Sequence, residues 1–205
     1  MIYNISNPSE DEEEEETTVP FGATEEDPPL IGLVGEINEE GTQQIVLALL
    51  TYNGGKILQE DKSELEDADD IEFFISSSGG SVNEMFTIYD LMELVKKNRD
   101  IATFGYGKIA SAAVLLLAAG TKGKRHMAKH ARLMMHHCSS NASGTHPNVR
   151  SNYNELKKVE DMMVQVLSAH SSLSAGEIFN ILSNNTDEYF SAEEVLEMGI
   201  VDKII

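Results

Sequence analysis

The chain has 205 residues, 41% of them hydrophobic, which is enough for one α/β domain with a sizeable core. Its 15 basic and 35 acidic residues give a net charge of −20, which argues against nucleic acid and anionic membranes as partners. The single cysteine, Cys138, excludes an intrachain disulfide, and the acidic N-terminus lacks the basic start of a secretory signal. The longest apolar run, 112–119, is too short for a membrane span. We therefore expect a protein of a reducing, cytoplasmic compartment.

The negative charge is concentrated in the first 70 residues. Residues 1–70 carry 20 acids against two lysines, a net −18, whereas residues 71–205 carry 15 acids against 13 bases, a net −2. Residues 9–29 combine a block of like charges with three prolines, a composition that cannot offset the entropy of ordering. We predict a disordered acidic tail over residues 1–28 and a folded domain over residues 29–205. Two interpretations of the tail stay open. It is either a segment that keeps the protein soluble, or one with a specific role as a gate, a propeptide or a partner-binding arm.

From Leu30 onward, short β-type runs alternate with amphipathic helical runs, which predicts an α/β domain. The predicted strands are 30–34, 71–75, 101–104, 132–135 and 200–204. The predicted helices are 43–52, 81–98, 111–119, 149–170 and 174–183, and a last one that starts after the capping box of Ser191 and Glu194 and stops at Gly199. Residues 59–70 form an acidic segment that predicts a long exposed loop.

A serine and glycine turn follows the second predicted strand and opens a helix. It consists of Ser78, Gly79, Gly80 and Ser81. Glycines at such a turn let backbone N–H groups approach a ligand closely, as in an oxyanion hole. A strand-to-helix turn also often needs glycine for steric reasons alone, and the motif by itself favours that second interpretation.

Ser111 is the candidate nucleophile. It follows a strand and a turn of small residues and is predicted to lie at the first turn of an apolar helix. There its hydroxyl can face backbone N–H groups and a helix dipole that favour a developing anion. The alternative is an ordinary N-cap, the commoner role for such a serine. However, a helix this apolar must be buried, and a capping serine in a buried cleft is unusual.

His136 and Asp187 are the candidate partners of that serine. His136 directly follows the strand 132–135, where its imidazole can take a proton from a serine on a neighbouring element. Asp187 lies in a loop, where a carboxylate can orient the imidazole and stabilise its charged form. Cys138 beside His137 is a disfavoured alternative nucleophile, because adjacent residues of an extended chain point to opposite faces. A metal site would need at least three converging ligands, so we expect neither a metal nor a cofactor.

Several separate motifs, in one order, closely resemble the proteolytic subunit of the Clp protease, a ClpP-type serine peptidase. They are residues 75–82, Ala110 and Ser111 with 118–125, 132–136, 187–194 and 199–205, and the likeness runs from Leu30 to the C-terminus. The resemblance implies a ClpP/crotonase-type superhelix of ββα units, an α/β fold with a protruding handle helix over 149–170. It also implies Ser111 as nucleophile, His136 as base and Asp187 as its orienter. The oxyanion donors it implies are the backbone N–H groups of Gly80 and Ala112.

By the same likeness, the chain is expected to be a serine endopeptidase that cleaves unfolded proteins or peptides inside an oligomeric chamber. The resemblance implies heptameric rings, single or double, and an AAA+ unfoldase as partner. The compartment it implies is the cytoplasm, or the plastid stroma for a plastid copy. Two other functions stay open. A catalytically weak ring subunit that partners an active paralogue is disfavoured because the three triad residues are retained. A crotonase-type acyl-CoA enzyme is disfavoured because its chemistry does not need them.

The sequence also departs from the resembling family. The acidic tail replaces the usual N-terminal helix and hydrophobic gating loop, and residues 54–67 look like an insertion. His137 and Cys138 replace a Gln-Pro pair. We therefore expect the entrance of the chamber and the peptide-pairing surface to differ from those of the family.

Overall fold

The computed structural model of the chain describes residues 29–53, 69–139, 143–184 and 186–205. The predicted acidic tail 1–28 and insertion 54–67 lie outside the described residues, as does all of the predicted loop 59–70 except its last two residues.

The described strands form one sheet, mostly parallel. The strands are β1 (Leu30–Ile37), β2 (Ile71–Gly80), β3 (Ile101–Ala110), β4 (Arg125–Met127), β5 (Arg132–Met135), β6 (Glu188–Phe190) and β7 (Lys203–Ile204). Strands β1, β2, β3, β4 and β7 are neighbours in that order, each parallel to the next, while β5 pairs parallel with β3 and antiparallel with β6. A parallel sheet requires crossover connections, and helices supply most of them here.

Six helices are described, and three of them begin at a side-chain cap. They are α1 (Glu39–Tyr52), α2 (Val82–Val95), α3 (Ala113–Ala118), α4 (His146–Ala169), α5 (Ala175–Leu182) and α6 (Ala192–Glu197). The Asn38 side chain accepts the Gly41 N–H at the start of α1. Serine and glutamate form capping boxes at the start of α5 and of α6. These caps satisfy backbone N–H groups that have no partner within the helix.

The core lies between the sheet and helices α1, α2 and α3. Along β2, every second residue from Ile71 to Ser77 is buried. On α2, the buried residues recur at spacings of three and four, as the sequence predicts. All six residues of α3 are buried, which is why this helix has no polar face.

The α/β prediction agrees with this architecture, and the differences lie mainly at element ends. The strand predicted over 132–135 matches β5 in full. The strands predicted over 71–75 and 101–104 extend to Gly80 and Ala110, because their serine and glycine ends still pair with neighbouring strands. Helix α3 begins at Ala113 rather than at the predicted residue 111. The pattern predicts neither β4 nor β6, since three residues are too few to show alternation.

Helix α4 is long and only half packed. Its buried residues, Met163, Val164 and Leu167, lie in its C-terminal half, whereas residues 146–155 are all exposed. The predicted handle helix therefore exists, and it begins at His146, three residues before its predicted start. Within the described ranges, no helix combines the length and apolar character needed to cross a membrane.

Candidate active site

The pairing of β5 with β3 brings Ser111 and His136 together. Ala110, the last residue of β3, lies opposite Met134, and the Ser111 N–H donates to the Met134 carbonyl at 2.9 Å. His136 comes two residues after Met134. Ser111, which follows β3, therefore lies beside His136, which follows the paired strand β5.

The pairing of β5 with β6 brings in Asp187. Met135 lies opposite Glu188 in this antiparallel pair. The residue after Met135 and the residue before Glu188 are therefore neighbours, and they are His136 and Asp187. Strand β5 thus links all three predicted triad residues.

The distances between the three side chains follow the order serine, histidine, aspartate. His136 Nε2 lies 2.9 Å from Ser111 Oγ. His136 Nδ1 lies 3.7 Å from Asp187 Oδ1, an ion-pair distance longer than a hydrogen bond. A proton on Nδ1 faces the carboxylate in this arrangement, which leaves the Nε2 lone pair free to accept the serine proton. The Asp187 side chain is 50% exposed, so its charge is partly screened.

Ser111 has a left-handed backbone conformation with φ of 56°. Non-glycine residues adopt such angles rarely, at a cost of about 1–3 kcal/mol, and they cluster at functional sites. Ala112, not Ser111, occupies the N-cap position of α3, and no side-chain cap bond is present. The capping alternative for Ser111 is therefore wrong, and its hydroxyl is directed to His136.

The glycine turn packs directly against the serine. Gly79 has φ of 84°, and a methyl group at Gly79 would come within 2.7 Å of both the Ala110 carbonyl oxygen and Ser111 Cβ. Only glycine permits that approach. At Gly80, with φ of 148°, a methyl group would instead collide with the Ile37 backbone on β1. Both positions therefore require glycine for steric reasons. At Gly79, the atoms that leave no room for a side chain belong to Ser111 and its neighbours.

Backbone N–H groups are available near Ser111. A methyl group on Gly79 would lie 3.1 Å from the Ala112 nitrogen, so the glycine turn borders this N–H. Among the described residues, the Ala112 N–H donates to no acceptor. Gly80 lies one residue further along the turn. The predicted oxyanion donors, Gly80 and Ala112, thus lie on the two segments that meet at the serine.

A small apolar pocket adjoins the serine and the histidine. Its walls come from α3, β5, α4 and α5, and its apolar lining residues are Val114, Leu115, Met135, Met163, Leu167 and Leu182. The sequence pattern does not single out these residues, because they are ordinary members of apolar stripes. Only their packing shows that they share one pocket.

The neighbouring His137 and Cys138 have partners other than Ser111. His137 Nδ1 lies 2.6 Å from Glu160 Oε1 on α4. Burial and, to a smaller extent, the Glu160 charge together raise the pKa of the Cys138 thiol to about 11. Cys138 Sγ contacts Met163 Sδ at 3.3 Å. The thiol is therefore protonated at neutral pH, which removes the basis for Cys138 as a nucleophile.

The half-buried His170 has a structural setting. His170 Nε2 lies 3.1 Å from the Tyr89 hydroxyl, and burial lowers the pKa of His170, assisted by nearby Lys96. Across the described ranges, no three residues of the His, Cys, Asp and Glu types converge in a way that could hold a metal ion.

One further residue at the site is not predicted from the sequence. The hydroxyl of Ser77 accepts the Gly79 N–H at 3.0 Å in the interior of the protein. Three consecutive serines precede the glycines, and nothing in the sequence distinguishes the middle one.

A serine hydroxyl beside a histidine that faces an aspartate, with a free backbone N–H close by, is the arrangement of a serine hydrolase. Comparison with known proteins narrows this class. Residues 27–205 match the sequence model of the Clp protease family. The ATP-dependent Clp protease proteolytic subunit 4 of Rhodococcus jostii is 35% identical over 177 residues, which cover 85% of this chain and 84% of the relative. Proteolytic subunit 2 of Thermobifida fusca is 32% identical over 86% of this chain and 80% of the relative.

A third relative, proteolytic subunit 2 of Bifidobacterium longum, is 38% identical over 66% of this chain and 64% of the relative. The chain therefore belongs to the Clp protease family. The predicted family, the α/β fold class and the predicted enzyme class, a serine-type peptidase, are confirmed.

Proposed function

We propose that the chain is a serine endopeptidase subunit in which Ser111, His136 and Asp187 hydrolyse peptide bonds of unfolded proteins or peptides. The observation that carries this proposal is the 2.9 Å contact between His136 Nε2 and the hydroxyl of Ser111. That hydroxyl serves no helix cap, and its residue has a strained backbone next to an apolar pocket.

In the proposed mechanism, Ser111 Oγ attacks the carbonyl carbon of the scissile peptide while His136 Nε2 takes its proton. Asp187 stabilises the resulting imidazolium. The N–H groups of Gly80 and Ala112 donate to the oxygen that becomes negative in the tetrahedral intermediate. His136 then protonates the leaving amine as the C–N bond breaks. Water, deprotonated by His136, hydrolyses the acyl-enzyme and regenerates Ser111.

The pocket beside the site favours an apolar side chain in the substrate. Its walls are methionine, leucine and valine, with Ser111 and His136 at one end. Burial of apolar area there would stabilise a bound peptide by roughly 25 cal/mol per Å². Methionines are flexible, so the pocket can adapt to side chains of different shape.

For the assembly, we propose a homo-oligomeric ring, heptameric and single or double, fed by an AAA+ unfoldase in a cytoplasm. The relatives are named as subunits of an ATP-dependent protease. Exposed apolar side chains support an oligomer. Val149 and Tyr153 are exposed on the unpacked half of α4, and Leu30 and Val34 on β1 are 57% and 74% exposed. Val149 and Tyr153 lie one helical turn apart, and exposed apolar residues that are neighbours favour a protein interface.

One observation favours the alternative of a catalytically weak ring subunit. The 3.7 Å separation of His136 Nδ1 and Asp187 Oδ1 leaves the imidazole N–H without a hydrogen bond to the carboxylate. Catalytic hydrogen bonds are often long in the absence of substrate, so the proposed peptidase remains the function that the geometry supports best.

The experiment is to label the purified full chain with a fluorophosphonate probe, map the modified peptide, and measure hydrolysis of a fluorogenic peptide. We expect the label on Ser111, with neither label nor turnover in Ser111→Ala, since loss of a triad nucleophile costs on the order of 10⁶ in kcat. Turnover by pure Ser111→Ala would refute the assignment. Labelled wild-type protein without turnover would favour the weak ring subunit.

A further inference from the structure

Three consecutive serines, Ser76, Ser77 and Ser78, precede the glycine turn, and their environments differ. Ser77 is fully buried at 0% exposure, Ser76 is half-buried and Ser78 is exposed. The Ser77 hydroxyl accepts the Gly79 N–H at 3.0 Å. In the described part of the chain, neither of the other two hydroxyls makes a hydrogen bond. The middle serine therefore has a contact that its neighbours lack.

This contact lies at an irregularity in the sheet. On β1, Gly35 lies opposite Ser77 but the next residue, Glu36, lies opposite Gly79. Ser78 is therefore an extra residue with no partner on β1, which is the definition of a β-bulge. A bulge interrupts the backbone ladder, and the Ser77 side chain supplies an acceptor for the Gly79 N–H at that point. On its other side, Ser77 pairs with Ile109 of β3, directly after a register shift between β2 and β3.

The glycine turn is restrained through its backbone alone. Gly79 and Gly80 have no side chains to pack and both have positive φ, and their backbones pair with β1. After the turn, the Ser81 N–H donates to the Ile37 carbonyl at 2.9 Å. Before it, the Ser77 hydroxyl holds Gly79. The peptide that carries the Gly80 N–H lies between these two hydrogen bonds.

We infer that Ser77 is a positioning residue of the peptidase site, whose hydroxyl holds Gly79 so that the Gly80 N–H is directed at the substrate oxyanion. This inference rests on the proposed function. The Gly80 N–H acts on charge that develops only in the transition state, so loss of its orientation lowers kcat more than it changes KM. If Ser77 served the fold alone, its substitution would lower stability without lowering kcat more than it changes KM.

The test compares Ser77→Ala and Ser77→Cys with the matched control Ser76→Ala, in the full chain. Cysteine preserves the buried volume but accepts hydrogen bonds weakly. For each variant, kcat and KM for a fluorogenic peptide are measured, together with sedimentation and the thermal midpoint. We expect kcat to fall about tenfold to a hundredfold in both Ser77 variants, with KM within about threefold of wild type, because loss of one oxyanion donor costs about 10²–10³. Ser76→Ala should stay within about twofold of wild type.

The outcomes separate the two proposals. An inactive, unlabelled wild-type protein refutes the proposed function itself. An active wild type, with kcat of both Ser77 variants within about twofold of Ser76→Ala, overturns the role of Ser77. A rise in KM that accounts for the whole loss of kcat/KM in the Ser77 variants would overturn this role as well. Failure of both Ser77 variants to assemble would also overturn it, since the hydroxyl would then serve folding rather than orientation.

Discussion

Ser111 is the one non-glycine residue with positive φ among the described residues. Its conformation follows from the hydrogen bond of its N–H to Met134 and from the absence of a Gly79 side chain. The two neighbouring elements therefore hold a residue that would not adopt this geometry alone. The strain directs Oγ to His136 instead of to the helix that follows. At the residue scale, the nucleophile is thus selected by backbone geometry.

His136 and His137 are adjacent and chemically identical, which provides a matched pair of substitutions. We expect His136→Ala to lower peptide hydrolysis about as much as Ser111→Ala, because only its imidazole reaches the serine. His137→Ala should have a much smaller effect, since its imidazole faces Glu160. Steady-state hydrolysis of a fluorogenic peptide measures both. An active His136→Ala together with an inactive His137→Ala would show that the wrong histidine has been assigned.

At the scale of elements, the site depends on where strands end rather than on what lies within them. Ser111 follows β3, His136 follows β5 and Asp187 precedes β6, so the register of β5 sets both contacts. A buried ion pair stabilises the neighbouring edge of the sheet. Arg125 on β4 is 5% exposed, and its guanidinium donates to both carboxylate oxygens of Asp202 at 2.7 and 2.8 Å.

This ion pair should make stability depend on pH. Burial alone would raise the pKa of Asp202, but the hydrogen bonds and charge of Arg125 lower it overall below its ordinary value. A lowered folded-state pKa stabilises the protein above the unfolded pKa of about 3.9, and this contribution is lost as pH falls through the folded value. We expect Asp202→Ala to lower the thermal midpoint at pH 7 by roughly 6–20 °C, since leaving one partner of a buried pair costs about 3–5 kcal/mol.

The difference in thermal midpoint between wild type and Asp202→Ala should become smaller as pH falls below about 4, because protonated Asp202 no longer balances the Arg125 charge. Thermal scans at fixed protein concentration between pH 3 and pH 7 measure it. The exposed acid Glu197, replaced by alanine, is the control and should change the midpoint little. A difference that stays constant, or widens, toward low pH would contradict the ion-pair explanation.

On the scale of the whole molecule, charge and exposed apolar surface are unevenly distributed. Residues 1–28 contain ten acids and no bases, half of the acids in the first 70 residues. The described residues instead expose apolar side chains on β1 and on α4, where residues 146–155 are all exposed. Such a surface is typical of a subunit that buries it against other copies.

We therefore predict assembly into a ring larger than a trimer. Sedimentation velocity at micromolar concentration measures it, with Tyr153→Asp on the exposed half of α4 as the perturbing variant. That substitution should weaken assembly while leaving the far-UV circular dichroism spectrum of the subunit nearly unchanged, because Tyr153 is 61% exposed in the single chain. Wild-type protein that sediments only as a monomer would rule out the predicted ring.

The acidic tail is predicted to affect protein substrates but not small neutral peptides. Ten negative charges near an entrance would repel acidic chains and attract basic ones within about a Debye length, ~8 Å at physiological salt. Deleting residues 1–28 should reduce the preference for a basic over an acidic unfolded protein, and raising the salt should do the same in the intact chain. Degradation of a matched basic and acidic pair, with and without the tail at two ionic strengths, measures this. Equal ratios in all four conditions would leave only the solubility interpretation.

Local sequence signals determined much of the fold and of the family. The capping box of Ser191 and Glu194 marks the start of α6 because its hydrogen bonds span only three residues, and the same signal is present at Ser174 and Glu177. The apolar stripe of α2 reflects burial on one helical face. These features depend on residues that are close in the chain, so a sequence pattern can reveal them. The order of motifs likewise indicated the Clp family and named Ser111, His136 and Asp187.

Only the tertiary structure decided how these residues meet. The left-handed conformation of Ser111, the hydroxyl contact of Ser77 and the apolar pocket depend on packing between β2, β3, α3, α4 and α5. Ser111 and His136 are 25 residues apart, and they touch because two parallel strands pair in one register. A register is set by the sum of many weak contacts across the sheet, and no single stretch of sequence contains that sum.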